Sequence, residues 1–366
     1  MILRRLALTA AAATLAMAVF PTPAQADTAR DQQWHLGFLH MAEAQQVSQG
    51  EGVMVAVLDS GVDASVPELA AAVVPGKDFG GGKGDGRSDT NGHGTAMAAL
   101  IAGRGKGGDK GVLGIAPKST ILPVQVAQYI DFAGYPEDVA AGIDYAVSRG
   151  ASVICIAAGT NDVSVLRSSI QKAFDADVVV VAAAGNKPKA GSVVFPAKMP
   201  GVVAVGAIDQ QGQRAAVSVA GPELSLVAPG VDIASTGLSG KLRTGTGTSD
   251  AAAIVAGVVA LVRAKYPQMR ADEVVHRLTA TAQDKDEPGR DPVYGYGIVD
   301  PVKALTADVP PASPSTSPQA SAAPSSAGKA GGGNAAGVIA AISAAAVVVV
   351  FIAVLQIIIR GRRRRT

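Results

Sequence analysis

Five short apolar runs rich in β-branched residues, 53–58, 120–126, 152–157, 178–183 and 202–207, alternate along this chain with segments of helical character at 136–148, 163–174, 251–265 and 271–280. Runs of that length with no polar alternation suit strands buried on both faces, and parallel strands need a crossover between them. The alternation predicts an α/β fold, a mostly parallel sheet with helices on both faces. Ligands of such sheets gather at the carboxyl ends of the strands. Asp59, which closes the run Val55-Ala56-Val57-Leu58, therefore stands at the edge where a site is expected.

Two further segments carry chemistry. His93 lies in Asn91-Gly92-His93-Gly94-Thr95 and Ser249 in Gly245-Thr246-Gly247-Thr248-Ser249. A serine hydroxyl is a weak nucleophile at neutral pH. It needs a base within hydrogen-bond reach and a third group that holds the base in one tautomer. Ser249, His93 and Asp59 can supply those roles, in the chain order Asp, His, Ser. Each also has a suitable setting. His93 is predicted to open a buried helix, and Ser249 precedes 251–262, which is apolar almost all round and so reads as another. A helix N-terminus offers free N–H groups and a positive dipole end to an oxyanion. One such residue beside glycines is usually a turn or cap residue; several in the right order are not.

These segments resemble the subtilisin-like serine proteases, and the similarity continues through Ala182-Ala183-Ala184-Gly185-Asn186, Phe195-Pro196-Ala197, Val203-Ala204-Val205-Gly206-Ala207 and Val227-Ala228-Pro229-Gly230. The resemblance implies a three-layer subtilisin-like fold over 51–306 and an acyl-enzyme mechanism with catalytic Asp59, His93 and Ser249. It assigns Asn186 as the side-chain donor to the oxyanion. It places the substrate along Ala157, Ala158, Gly159, Ala183, Ala184, Gly185 and Val194. No cofactor is implied. Structural calcium occurs in the wider family, but no ligand set is legible here: Asp85, Asp89 and Asp109 lie in Gly-rich loops and read as solvated.

Three departures from the family pattern bear on activity. Asp250 follows the nucleophile where a neutral residue is common. It reads either as a solvated first-turn residue suited to the helix dipole, or as a group facing the site that raises the pKa of His93 and opposes the oxyanion. Ala157-Ala158-Gly159-Thr160 replaces the usual Ser-Leu-Gly-Gly, a change that backbone pairing with an extended peptide survives. Val193-Val194 stands beside the specificity pocket where glycine is common, which predicts a small P1 residue.

The two ends of the chain are equally distinctive. Residues 1–26 carry Arg4 and Arg5, an apolar stretch from 6 to 20 and Ala24-Gln25-Ala26, the pattern of a secretory signal. Residues 307–334 are rich in Pro, Ser, Ala and Gly, which reads as a linker. Residues 335–359 are apolar and uncharged, long enough for one transmembrane helix, and 360–366 form a basic tail expected to remain cytoplasmic. The seven arginines of the two ends exceed the formal charge of +2 and leave the middle at about −5, which argues against nucleic-acid binding. The lone Cys155 allows no disulfide within the chain and reads as a buried small hydrophobe. His35, His40 and His276 sit in no catalytic setting, and His276 reads as an exposed helix residue. Residues 27–50 are too few for a separate domain. They read as an arm packed on the domain by Trp34, Leu36 and Phe38 rather than a cleaved inhibitor.

Signal, protease domain, linker, single span and basic tail together resemble the mycosins, membrane-anchored proteases of type VII secretion. That resemblance implies an extracytoplasmic serine endopeptidase at the cell membrane, with a polypeptide substrate and a secretion complex as partners. The competing expectation is a weakly active or inactive scaffold subunit of such a complex, which Asp250 and the altered groove favour and the complete set of catalytic residues disfavours.

Overall fold

The computed structural model describes residues 28–108, 110–127 and 135–311. The chain divides into units 1–313 and 314–366, and only the first contains described residues. The expected signal peptide, membrane span, basic tail, most of the linker and Asp109 lie outside them. Among the described residues no helix is long and apolar enough to cross a membrane.

Among the described residues seven strands form one sheet: β1 (Met54–Asp59), β2 (Lys77–Asp78), β3 (Thr120–Gln125), β4 (Val153–Ile156), β5 (Val179–Ala183), β6 (Val203–Ile208) and β7 (Leu226–Pro229), in the order β2-β3-β1-β4-β5-β6-β7. Every pairing in it is parallel. A separate antiparallel hairpin joins β8 (Ile233–Thr236) to β9 (Leu242–Gly245). The helices of the described residues are α1 (Thr28–Asp31), α2 (Trp34–Phe38), α3 (Met41–Val47), α4 (His93–Ala102), α5 (Pro136–Ser148), α6 (Ser164–Asp175), α7 (Thr248–Lys265), α8 (Ala271–Ala280) and α9 (Pro301–Thr306).

Period-two alternation sorts the side chains of each strand between two cores. Val55 and Val57 of β1, with Val153 and Cys155 of β4 and Val179 and Val181 of β5, share a core with α4 and α7. Ala56, Leu58, Ile154, Ile156, Val180 and Ala182 share the other with α5 and α6. Asp59 has the parity of Val55 and Val57, so its carboxylate emerges on the side of α4 and α7. Both of those helices lack a polar stripe. All ten residues of α4 are buried, as is every residue of α7 from Thr248 to Arg263. They form an enclosed layer that leaves their N-termini at the carboxyl edge of the sheet.

The arm is helical, and it is part of the core. Leu39, Met41 and Ala44 are buried with α4 and α7, and Trp34, Leu36 and Phe38 pack against the same cluster. Burying a side chain such as Leu39 or Met41 contributes about 1.5–3 kcal/mol. Polar ties fix its position: Trp34 Nε1 donates to the Val231 carbonyl at 3.0 Å, while the Gln33 amide both donates to the Leu113 carbonyl at 2.9 Å and accepts its N–H at 2.8 Å. His35 is wholly buried with neither ring nitrogen bonded, and burial pushes its pKa down to about 3. It is a neutral packing residue.

Candidate active site

The site assembles where β1 ends and α4 and α7 begin. Asp59 is the last residue of β1 and His93 the first of α4. His93 Nδ1 lies 2.8 Å and 2.9 Å from the two carboxylate oxygens of Asp59, with both side chains almost fully enclosed. A carboxylate only accepts, so Nδ1 carries the hydrogen and Nε2 is left free to take a proton. Gly94 makes this approach feasible. A Cβ there would stand 2.1 Å from the Gly61 carbonyl oxygen and 3.2 Å from Asp59 Oδ1.

Asp89 holds the two elements in register, which corrects the expectation that it is solvated. Its half-buried carboxylate accepts five hydrogen bonds, from Ser60 Oγ and from the N–H groups of Asn91, Gly92 and Thr95 together with Thr95 Oγ1. Ser60 Oγ in turn accepts the Gly94 N–H at 3.0 Å. One side chain thus straps the end of β1 to the start of α4. Asp85, by contrast, keeps a side chain 43 % exposed that pairs with Arg87. Asp89→Ala strands several donors and is expected to cost about 2 kcal/mol. That is a fall in Tm of roughly 4–6 °C; an unchanged melting curve would show that the strap carries no stability.

Ser249 lies in the first turn of α7 and is nearly enclosed, 8 % exposed. The N–H groups of a first turn have no intrahelical partner, and they sit at the positive end of the helix. The turn before it is pinned by the Gly247 N–H donating to the Gly230 carbonyl at 2.8 Å. Asn186, three residues beyond the end of β5, meets the same turn. Its Oδ1 accepts the Thr248 N–H at 3.0 Å, which settles the orientation of the amide and turns Nδ2 away from that bond. A Cβ on Gly247 would lie 3.1 Å from Ser249 Oγ and 3.2 Å from Asn186 Nδ2. The hydroxyl and the amide donor therefore face one small space, which only glycine at this position leaves open.

Asp250 is buried, 1 % exposed, so the solvated reading is corrected here too. Its Oδ1 lies 3.2 Å from Nη1 of Arg243 on β9. Burial lifts its carboxyl above the ordinary range, opposed by the charges of Arg243 and His93. For His93, burial alone would lower the pKa. The charge and hydrogen bond of Asp59, and then the charge of Asp250, outweigh it and raise the imidazole above its ordinary value, with Arg243 opposing. Asp250 thus acts on His93 through its charge, and the helices that the two residues begin, α4 and α7, pack against one another. No local pattern in the sequence marks Arg243, whose pairing with Asp250 exists only once β9 and α7 are folded.

Of the groove residues, Gly159, Gly185 and Val194 come together. A Cβ on Gly159 would stand 2.7 Å from Val194 Cγ2, and one on Gly185 3.0 Å from Val194 Cγ1, so the isopropyl group fills the gap between them. Thr160 pairs with Phe195 through an N–H to carbonyl bond of 2.8 Å. Ala157, Ala183 and Ala184 are buried, and their side chains belong to the cores on either side of the sheet; Ala158 is half-buried. Cys155 is buried, and burial pushes its thiol far up, so it stays neutral. His276, expected to be exposed, is half-buried on α8 and reaches the Pro310 carbonyl at 3.1 Å. Among the described residues no three His, Cys, Asp or Glu side chains converge as metal ligands.

Comparison with known proteins places this geometry. The subtilase family model matches residues 50–297. Subtilisin DY of Bacillus licheniformis is 36% identical over 255 residues, covering 69% of this chain and 90% of that protein. Mycosin-1 of Mycobacterium tuberculosis is 34% identical over 354 residues, 81% of this chain and 78% of that one. Among solved structures, MycP1 from the ESX-1 type VII secretion system superposes with a TM-score of 0.69 at 30% identity, covering 78% of this chain and 88% of its own. The α/β fold is subtilisin-like, and the chain belongs to the subtilase family of serine endopeptidases.

Proposed function

We propose that this chain hydrolyses peptide bonds with Ser249 as nucleophile, His93 as general base, Asp59 as the group that orients it, and Asn186 Nδ2 with the Ser249 N–H as oxyanion donors. The observation that carries the reading is the enclosed contact of His93 Nδ1 with Asp59 at 2.8 Å, set beside the space shared by Ser249 Oγ and Asn186 Nδ2. His93 Nε2 takes the hydroxyl proton as Ser249 Oγ attacks the carbonyl carbon. Asp59 holds the imidazolium that forms, and the two donors receive the developing negative charge. Collapse expels the amine, which takes the proton from His93, and leaves an acyl-enzyme. Water, deprotonated by the same histidine, then releases the acid and restores Ser249.

The physiological setting proposed is a membrane-anchored protease domain on the extracytoplasmic side, associated with type VII secretion. Its support is the pattern of signal, linker, apolar stretch and arginine tail in the sequence, together with relatives named as mycosins and as components of type VII systems. The substrate is a polypeptide that adds to the groove as an extended strand.

Val194 sets the size of the specificity pocket. With its two methyl groups filling the gap between Gly159 and Gly185, a P1 side chain larger than Ala or Ser meets them. A fluorogenic peptide library varied at P1 tests both the activity and this preference, using the full-length chain beside Ser249→Ala. Small P1 residues are expected to exceed Phe and Leu by at least about 10-fold in kcat/KM, and Val194→Gly to narrow that ratio. Faster cleavage after Phe by the parent would refute the pocket assignment.

A further inference from the structure

We propose that Arg243 is a positioning residue of the hydrolytic site: its guanidinium cancels the charge of Asp250, which lets an acid stand directly after the nucleophile without opposing the oxyanion. The proposal rests on the assignment of Ser249 and Asn186 above.

The geometry places Asp250 between two neighbours. Oδ1 is held by Arg243 Nη1 at 3.2 Å, and Oδ2 lies 3.7 Å from the point where a Cβ on Gly247 would stand. That same point is 3.1 Å from Ser249 Oγ and 3.2 Å from Asn186 Nδ2. One edge of the carboxylate therefore borders the space in which the tetrahedral oxyanion forms. Two negative charges that close, one of them a carboxylate only 1 % exposed, repel strongly. A paired carboxylate presents a dipole there instead of a net charge.

The chain is shaped around the pair. A Cβ on Gly245 would lie 2.5 Å from Arg243 Nη1 and 2.6 Å from Asp250 Oδ1, so the ion pair occupies the room that a side chain would need. The two glycines thus have distinct tasks: Gly245 admits the pair, and Gly247 keeps the reaction space open. Arg243 is on β9, whose partner strand β8 packs against α4, the helix that His93 opens. The counter-charge is carried by a hairpin already fastened to the general base. The charged groups acting on His93 are Asp59 from β1, Asp250 from α7 and Arg243 from β9; the Cys155 thiol on β4, close enough to feel Asp59, is neutral.

The test is a double-mutant cycle on the full-length chain, read as kcat and KM against pH with a small-P1 peptide. In Arg243→Gln the unpaired Asp250 is charged at alkaline pH, and kcat is expected to fall about 100-fold at pH 9 with KM little altered. Toward lower pH the buried carboxyl takes up a proton and the deficit shrinks. The profile of this variant therefore gains a descending alkaline limb that the parent lacks. Arg243→Gln with Asp250→Asn is expected to lose that limb and recover most of the kcat. Asp250→Asn alone should move the acid limb, which belongs to His93, to lower pH, because one charge holding the proton on the imidazole is gone.

A purely structural Arg243 produces none of these changes in profile. An Arg243→Gln profile with the shape of the parent's, or a double variant no better than the single one, overturns the proposal. If Arg243→Gln fails to fold, an acid limb unmoved in Asp250→Asn does so. A parent with no hydrolysis at all overturns instead the assignment of Ser249 on which the proposal rests.

Discussion

Ser249→Ala is expected to reduce kcat about a million-fold, the magnitude known for subtilisin, a member of the same family, while the domain melts at nearly the parent temperature. The substitution removes one oxygen and leaves Cβ in the first turn of α7, so the buried helix keeps its packing. It takes away the only atom at that point able to attack a carbonyl carbon. The small space beside Gly247 and the Asn186 donor remain, so peptide binding persists and the loss falls on kcat rather than on KM. A variant that kept one tenth of the parent's turnover would show that the hydrolysis comes from another group.

Asn186→Ala is expected to lower kcat by about 100- to 1,000-fold, again the scale known from subtilisin. The donor acts where charge appears in the transition state, not where the neutral carbonyl rests, so KM should change little. Asn186 also has a structural task, since its Oδ1 accepts the Thr248 N–H at 3.0 Å. Asn186→Asp separates the two tasks. The carboxylate keeps an acceptor for Thr248 but loses the donor and adds a negative charge beside the oxyanion. It should fold as well as the parent and hydrolyse no better than Asn186→Ala. Recovery of activity in Asn186→Asp would mean that Asn186 serves the turn alone.

The parts of this molecule that sequence reveals are those with a local signature. Fully buried parallel strands need continuous apolar runs, and β1, β3, β4, β5 and β6 all fall on the runs read as strands. Buried helices need small apolar residues all round, and α4 and α7 show this. Asp59 was legible because a carboxylate ending a buried strand has little structural reason to be there. Elements held by distant partners were not legible. The helices α1, α2 and α3 are too short to be stable alone and owe their form to the core they cover. The hairpin of β8 and β9 carries a polar, largely exposed second strand. The roles of Asp89 and Asp250 followed the same rule. Each sits in a loop or first turn where solvation is the ordinary outcome, and only the folded chain brings Ser60 to the one and Arg243 to the other.

The measurement closest to the central claim is labelling of the full-length protein with a fluorophosphonate probe, beside Ser249→Ala and His93→Ala. A phosphonylated parent, with the adduct mapped to Ser249 and both variants unlabelled, is the predicted result, since only a serine with its base in place attacks the phosphorus. A folded parent that takes no label, or one labelled equally in Ser249→Ala, would contradict the account and point to a scaffold built on a protease fold.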